Sequence, residues 1–214
     1  MLAAVVPVKT LGATKGRLAE VLGPQERQAL CLAMLSDVLA ALLHSPVVGL
    51  VAVTSPDPGV AAHALAAGAA FWPDRAGSLN GAVAAALAEA AARGATAALV
   101  LPGDVPLVTP DDVRTLAQQA AAEQCAVVAP TGDDGTGALL LRPPLLIAPD
   151  YGGASAPRHL AAARAAGALA LACPLPHLAL DLDRPEDLRT FWQQAPGSAT
   201  RACLERLGFG RRAV

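Results

Sequence analysis

Aromatic residues are nearly missing from this chain: three Phe, two Trp and one Tyr make up 3% of it. A core without large rings must be filled by the alanine, valine and leucine that raise the hydrophobic share to 54%, so helices and strands have to pack closely. An excess of positive charge is missing as well. Sixteen Lys and Arg stand against eighteen Asp and Glu, a formal net charge of −2. That balance argues against the broad basic surface that nucleic acid or an anionic membrane would need. Cys31, Cys125, Cys173 and Cys203 form no Cys-x-x-Cys pair, which argues against zinc and for buried free thiols in a reducing cytosol. No apolar run reaches the length of a membrane span. Residues 1–8 lack a basic segment before them and a cleavage-like site after them, so a first strand is expected there rather than a signal peptide. Repeats, low-complexity linkers and a second-domain boundary are missing too. The expectation is one cytoplasmic domain over residues 1–214, long enough for a sizeable core.

What is present is organised around residues 97–107, Ala-Ala-Leu-Val-Leu-Pro-Gly-Asp-Val-Pro-Leu. Its uncharged opening suits a strand buried on both faces, and Pro102-Gly103 turns the backbone. Asp104 then stands just beyond the strand's carboxyl end, the edge at which open α/β sheets bind ligands. Two roles are open to it, a turn or helix cap and a metal ligand. The first strand leads into Lys9-Thr10-Leu11-Gly12-Ala13-Thr14-Lys15-Gly16-Arg17-Leu18. This loop has neither the Walker A order nor Gly-x-Gly-x-x-Gly. It does set Lys9, Lys15 and Arg17 among glycines, Gly12 included, where nucleotide-binding α/β folds hold phosphates. Polyanion binding is favoured over a solvated basic surface.

The spacing predicts a helix from Pro24 to about His44 with two adjoining apolar rows, Leu30, Met34, Val38, Leu42 and Cys31, Leu35, Leu39, Leu43. A strand at 47–54, a short helix at 60–67, a strand at 69–72 and an Ala-rich helix ending near Arg93-Gly94 follow. Asn80, at the start of that last helix, is either a cap in competition with Ser78 or a nucleotide contact beside the basic loop. His63 reads as an ordinary exposed histidine. Thr109-Pro110-Asp111-Asp112 has the form of a helix start. Strands are expected at 125–130 and 138–142, a helix opened by the Gly- and Ser-rich stretch 151–159, and a strand at 168–173. A further alternating strand, 178–182, runs into Asp181-Leu182-Asp183. One of these aspartates can cap the helix at Pro185, which leaves the other free. A polar bend at 193–198 precedes a last helix, from which 209–214 trails off. Strand and helix alternate in units of about 20 to 30 residues, the pattern of a mostly parallel α/β sheet with crossover helices.

A basic loop, a carboxylate after the central strand and carboxylates after a later one are the parts of metal-assisted chemistry on a nucleoside triphosphate. Magnesium takes oxygen ligands from one or two carboxylates, phosphates and water. Lys and Arg neutralise the phosphates and the leaving pyrophosphate. No Ser-His-Asp order, zinc motif or paired-glutamate arrangement competes. Nucleotidyl transfer fits this inventory. A non-catalytic α/β ligand-binding module would need neither the basic loop nor carboxylates at two strand ends.

Pro7-Val8-Lys9 with Lys15-Gly16-Arg17-Leu18-Ala19, Gly103-Asp104-Val105-Pro106 and Asp134-Gly135-Thr136 with Leu139-Leu140-Leu141-Arg142-Pro143-Pro144 occur in this order. Gly152-Gly153-Ala154-Ser155 with Arg158-His159, and Leu180-Asp181-Leu182-Asp183 with Pro185-Glu186-Asp187-Leu188, complete the set. Together they resemble the CofC family, guanylyltransferases of coenzyme F-420 biosynthesis that act on 2-phospho-L-lactate or phosphoenolpyruvate. The resemblance covers nearly the whole chain. It implies the nucleotide-diphospho-sugar transferase (GT-A-like) fold, a three-layer α/β/α sandwich. It implies GTP as the nucleotide, for which Lys9, Gly12, Lys15, Arg17 and Asn80 are the expected contacts, with Lys9, Lys15, Arg17 and Asp104 expected to be catalytic. It implies that Thr136, Gly152 and Ser155 hold a small phosphorylated carboxylic acid, and that Asp104 and the pair Asp181 and Asp183 hold Mg2+. Ser155 has a second reading, as N-cap of the helix carrying Arg158. Where the family's acceptor loop reads Asp-Gly-Gly-Thr-Asn, this chain has Asp133-Asp134-Gly135-Thr136-Gly137, and an aromatic Phe-Gly is Tyr151-Gly152; the choice among phosphoenolpyruvate, 2-phospholactate and 3-phosphoglycerate stays open. Molybdopterin and sugar nucleotidyltransferases of the same fold usually begin Leu-x-Gly-Gly-x-Ser-x-Arg-Met-Gly, and residues 7–17 lack that glycine pair. No nucleic acid or membrane is expected as a partner, and a homodimer is left open.

Overall fold

Successive residues of a strand point to opposite faces, and the first strand, β1 (Leu2–Pro7), is apolar at every position, so it has to be covered on both sides. The computed structural model describes residues 1–13, 15–194 and 197–212 and supplies both covers. Ala4 and Val6 enter one buried cluster with α1 (Pro24–Leu43), α2 (Pro58–Ala66) and α4 (Pro110–Gln119). Ala3 and Val5 face the other side, where α3 (Leu79–Ala92) packs. Further along that side, α3 and α5 (Ser155–Ala165) enclose Ala98, Val100, Val128 and Leu139. The result is a three-layer α/β/α sandwich. No helix among the described residues is long and apolar enough to cross a membrane.

Between the layers lie β1, β2 (Val48–Ser55), β3 (Ala70–Pro73), β4 (Ala97–Val100), β5 (Cys125–Pro130), β6 (Thr136–Arg142) and β7 (Leu169–Ala172). They form one sheet in the order β3-β2-β1-β4-β6-β5-β7. Every pairing is parallel except those of β6, which runs antiparallel to both β4 and β5. The cause is local. Only the turn 131–135 separates β5 from β6, too short for a crossover; it is closed by Thr131 N–H to Gly135 O and Asp134 N–H to Thr131 O at 3.0 and 3.2 Å. Reversal puts the first residue of β6, Thr136, toward the carboxyl end of its neighbour β4.

Helix starts follow the sequence closely. Asp57, Ser78 and Thr109 cap α2, α3 and α4, and Thr109 forms a capping box with Asp112. Three expectations need correction. Residues 178–182 are not a strand: Pro176–Leu178 is a 3-10 turn, and the chain beyond it has no sheet partner. The alternation is still real, because Leu178 enters the main core while Leu182 is buried in a second cluster with Leu18, Leu30 and Met34, against which Leu180 packs. An extended segment needs buried alternate residues, not a ladder, to show period two. His63 is half-buried rather than exposed, its Nε2 2.8 Å from Ser36 Oγ on α1. Residues 209–212 form a short helix, α8 (Phe209–Arg212), after α6 (Pro185–Gln194) and α7 (Ala199–Arg206). Thr14 of the basic loop, Ala195 and Pro196 of the expected bend, and residues 213–214 lie outside the described residues.

Candidate active site

Leu18 and Leu182 are both fully buried in the cluster that joins α1 to α6 and α7. That shared anchor draws two loops distant in sequence onto one end of the sheet. Leu182 N–H donates to Asp104 O at 3.2 Å, and Leu11 N–H donates to Asp57 Oδ2 at 2.9 Å. Between them opens a cavity of about 540 Å³, lined by Lys9, Lys15, Arg17, Asp104, Asp181 and Asp183 together with Tyr151 and Leu79.

Lys15 is the centre of its electrostatics. Its backbone is left-handed, φ 56°, an uncommon state for a residue with a Cβ. The side chain is 5% exposed and its Nζ donates to Asp104 Oδ2 at 2.7 Å and to Asp183 Oδ1 at 2.6 Å. Burial alone would pull this ammonium down, but the two carboxylates override it and hold it above its ordinary value. For Asp104 the balance is the mirror image: burial would raise its carboxyl, and the charge and hydrogen bond of Lys15 hold it low. For Asp181 the pull of Lys15 is outweighed. Burial, then the negative charges of Asp104 and Asp183, push its carboxyl up. Arg17, 66% exposed, stands 3.8 Å from Asp183.

Oxygen atoms of Asp104, Asp181 and Asp183 all lie within 4.8 Å of one another. Three hard oxygen donors converge, one of them raised by burial and by its neighbours' charge, and an ammonium already bridges the other two. Such a set suits a divalent cation. Among the described residues, neither the Asp181 nor the Asp183 carboxylate bonds to the first turn of α6. Asp187, within that turn, accepts through Oδ2 from the N–H groups of Asp183 and Arg184 at 3.1 and 2.7 Å, and both carboxylates face the cavity.

A second polar group lies at the same sheet edge. Thr136 Oγ1 is 2.8 Å from Ser155 Oγ and 3.1 Å from His159 Nδ1, and all three residues are buried. Ser155 is not the N-cap: Ala154, with φ 50°, holds that position, and Ser155 is the first helical residue. Gly152 sits in the exposed loop before it with φ 143°, a conformation open to glycine. Asn80 clamps that loop, its Nδ2 donating to Tyr151 O at 3.2 Å and its Oδ1 accepting from Tyr151 N–H at 2.7 Å. Both ends of the Asn80 amide are thus engaged with protein backbone.

The cavity therefore gathers Lys9, Lys15, Arg17, Asp104, Asp181 and Asp183, while Gly12, Asn80, Thr136, Gly152 and Ser155 stand outside its lining; Asn80 reaches it through the Tyr151 backbone, and Thr136 and Ser155 through His159, which meets the Tyr151 ring. The sequence motifs include Tyr151 and His159 but give neither a role. Signals existed for both: Tyr151 is the single tyrosine of the chain, set in a glycine-rich loop, and His159 follows Ser155 by four residues, one helical turn.

A three-layer α/β sandwich with a cation loop after β1 and carboxylates converging at the carboxyl ends of its strands defines a nucleotidyltransferase. Comparison with known proteins agrees. The family model for guanylyl transferase CofC-like proteins matches residues 2–213. A phosphoenolpyruvate guanylyltransferase of Rubrobacter xylanophilus is 44% identical over 86% of this chain and 90% of its own. One of Nocardia farcinica is 38% identical over 98% of this chain and 93% of its own. Among solved structures, a Desulfovibrio desulfuricans G20 protein named as a nucleotide-diphospho-sugar transferase superposes with a TM-score of 0.78, at 20% identity over 99% of this chain and 97% of that one. The fold is that of the nucleotide-diphospho-sugar transferases. The chain belongs to the guanylyl transferase CofC-like family, and it is a nucleotidyltransferase enzyme.

Proposed function

We propose that this protein, acting as one domain, transfers a guanylyl group from GTP to a small phosphorylated carboxylic acid and releases pyrophosphate. Phosphoenolpyruvate is the acceptor of first choice and coenzyme F-420 biosynthesis the setting. The observation that carries the reading is the junction of a buried Lys15 with Asp104 and Asp183 in one cavity, in a chain whose relatives named phosphoenolpyruvate guanylyltransferase align over most of its length.

In this reading Asp104, Asp181 and Asp183 hold Mg2+, which when bound supplies charge neutralisation at the α-phosphate and leaving group. Lys9, Lys15 and Arg17 line the triphosphate, with the Gly12 backbone beside them, and carry the growing charge on pyrophosphate. Thr136, Gly152 and Ser155 receive the carboxylate and phosphate of the acceptor. Asn80 serves by fixing the Tyr151 backbone between the two substrates. An acceptor phosphate oxygen attacks the α-phosphorus in line as pyrophosphate departs. A phosphate dianion is already a nucleophile, so positioning and charge stabilisation suffice and no covalent enzyme intermediate is needed.

The test is pyrophosphate release with GTP, ATP or CTP against phosphoenolpyruvate, 2-phospholactate and 3-phosphoglycerate. The reading expects GTP to exceed ATP and CTP by about ten-fold or more in kcat/KM, the size of one or two base-specific hydrogen bonds. Release that is independent of any acceptor, or strongest with CTP, would defeat it.

A further inference from the structure

Ser155, Thr136 and His159 sit on two elements, β6 and α5, and a backbone donor fixes the direction of the bonds at the histidine end. Asp150 N–H reaches His159 Nε2 at 2.9 Å. A backbone N–H can only donate, so Nε2 carries the lone pair and the proton of the neutral ring is on Nδ1. Nδ1–H then donates to Thr136 Oγ1 at 3.1 Å. The Thr136 hydroxyl, having accepted, is left free to give its own proton to Ser155 Oγ at 2.8 Å. In that arrangement Ser155 keeps an O–H for which no further acceptor stands within reach among the described residues.

The ring is built to hold this state. His159 is 0% exposed, and burial lowers its basicity against the smaller pull of Asp150. Tyr151 meets it edge-on, centroids 5.0 Å apart and planes at 68°. Arg158 ties the same loop down through Asp150 Oδ2 at 2.6 Å and Asp150 O at 2.9 Å, with a further bond to Gly153 O.

We propose that His159 is a positioning residue for the acceptor: its Nδ1–H tautomer frees the Thr136 hydroxyl to donate to Ser155, so that Ser155 presents a donor to the anionic substrate. The proposal rests on the assignment of Thr136, Gly152 and Ser155 to the acceptor. If the polarity were reversed, with Nε2–H and a bare Nδ1, Thr136 would donate to the ring and Ser155 to Thr136. Two lone-pair oxygens would then face an anion, and binding would weaken.

Two measurements test it. Long-range 15N–1H correlation on the whole protein, with the His159 signal assigned through His159→Asn, should show a protonated Nδ1 and a bare Nε2 near neutral pH; the opposite tautomer or an imidazolium would overturn the proposal without reference to turnover. In kinetics, an asparagine at this position places its amide N–H where Nδ1–H stands, whereas glutamine supplies the acceptor for Asp150 N–H but no donor at the δ position. His159→Gln should raise the acceptor KM about ten-fold or more and leave the GTP KM within about two-fold, as loss of one hydrogen bond serving a charged ligand implies. His159→Asn should return the acceptor KM to within about three-fold of the parent. In a Thr136→Val background the glutamine substitution should add nothing, because the relay is already broken. Equal effects of the two variants, or a GTP KM that rises with the acceptor KM, would overturn the role of His159 while the acceptor assignment stood. Absence of guanylyl transfer by the parent protein to all three acids would defeat the acceptor assignment itself, and the acceptor role of His159 with it.

Discussion

Replacing Lys15 by Met keeps the aliphatic stem and removes the ammonium that bridges Asp104 and Asp183. Oxygen atoms of the three aspartates lie within 4.8 Å of one another, and at an effective dielectric of about 20 one like-charged pair at that distance repels by roughly 3.5 kcal/mol. Water reaches Asp104 and Asp183, whose side chains are 32% and 38% exposed, and screening brings the expected loss to about 2 kcal/mol. For a domain of this length that corresponds to a fall in Tm of about 4–8 °C in chelator. Millimolar magnesium or manganese should return at least half of it, because a divalent cation neutralises the same carboxylates. Arg17→Gln, at an exposed position 3.8 Å from Asp183, should cost less than about 1 kcal/mol. Thermal melts of the two variants and the parent, with and without cation, decide the matter. A Lys15→Met protein as stable as the parent in chelator, or one whose loss ignores the cation, would refute the view that Lys15 neutralises a cation-binding carboxylate cluster.

Asp104→Asn keeps the shape of the side chain but halves the charge facing Lys15; pyrophosphate release should drop by about 10³-fold or more, and near-parental turnover at ordinary magnesium would contradict the ligand role. Gly137→Ala should destabilise by about 1–3 kcal/mol in urea titration, since a Cβ there would stand 2.1 Å from Leu178 O and 3.1 Å from its carbonyl carbon; Gly132→Ala, with nothing within 4 Å, should stay within about 0.5 kcal/mol. The pH dependence of stability has a defined sign. Burial holds folded His159 below 6.5, so the unfolded chain binds more protons there, and its stabilising contribution is full above about 6.5 and is lost as pH falls below it. His63 is also lowered by burial and acts in the same direction, so the slope of unfolding free energy between about pH 7.5 and 5 should become shallower in His159→Asn without vanishing; an unchanged slope would count against a neutral buried imidazole.

Much of the architecture could be read from residues 1–130 alone, because each apolar run there is bounded by a helix cap or a Pro-Gly turn and each element is specified by its own few residues. Thr109 with Asp112, Pro24, and the uncharged run of β4 are local signals. The same reading placed Lys15, Arg17 and Asp104 in their loops. Pairing was beyond it. Lys15 and Asp183 are 168 positions apart in sequence, and nothing near either one marks the other as its partner. The segment 178–183 shows why: its alternating Leu and Asp were legible as two faces, but whether those faces joined a sheet or wrapped over its edge depended on Gly137 admitting the Leu178 carbonyl and on Leu182 finding the cluster of Leu18 and Met34. The chain of Ser155, Thr136 and His159 is of the same kind, since the tautomer of His159 is set by the Asp150 backbone and its partner Thr136 lies on a strand reversed by the 131–135 turn. Local propensity and periodicity fix elements because they act over one or two turns of chain. The charge balance of the cavity and the direction of its hydrogen bonds come from contacts between distant segments, which exist only once the sheet has assembled.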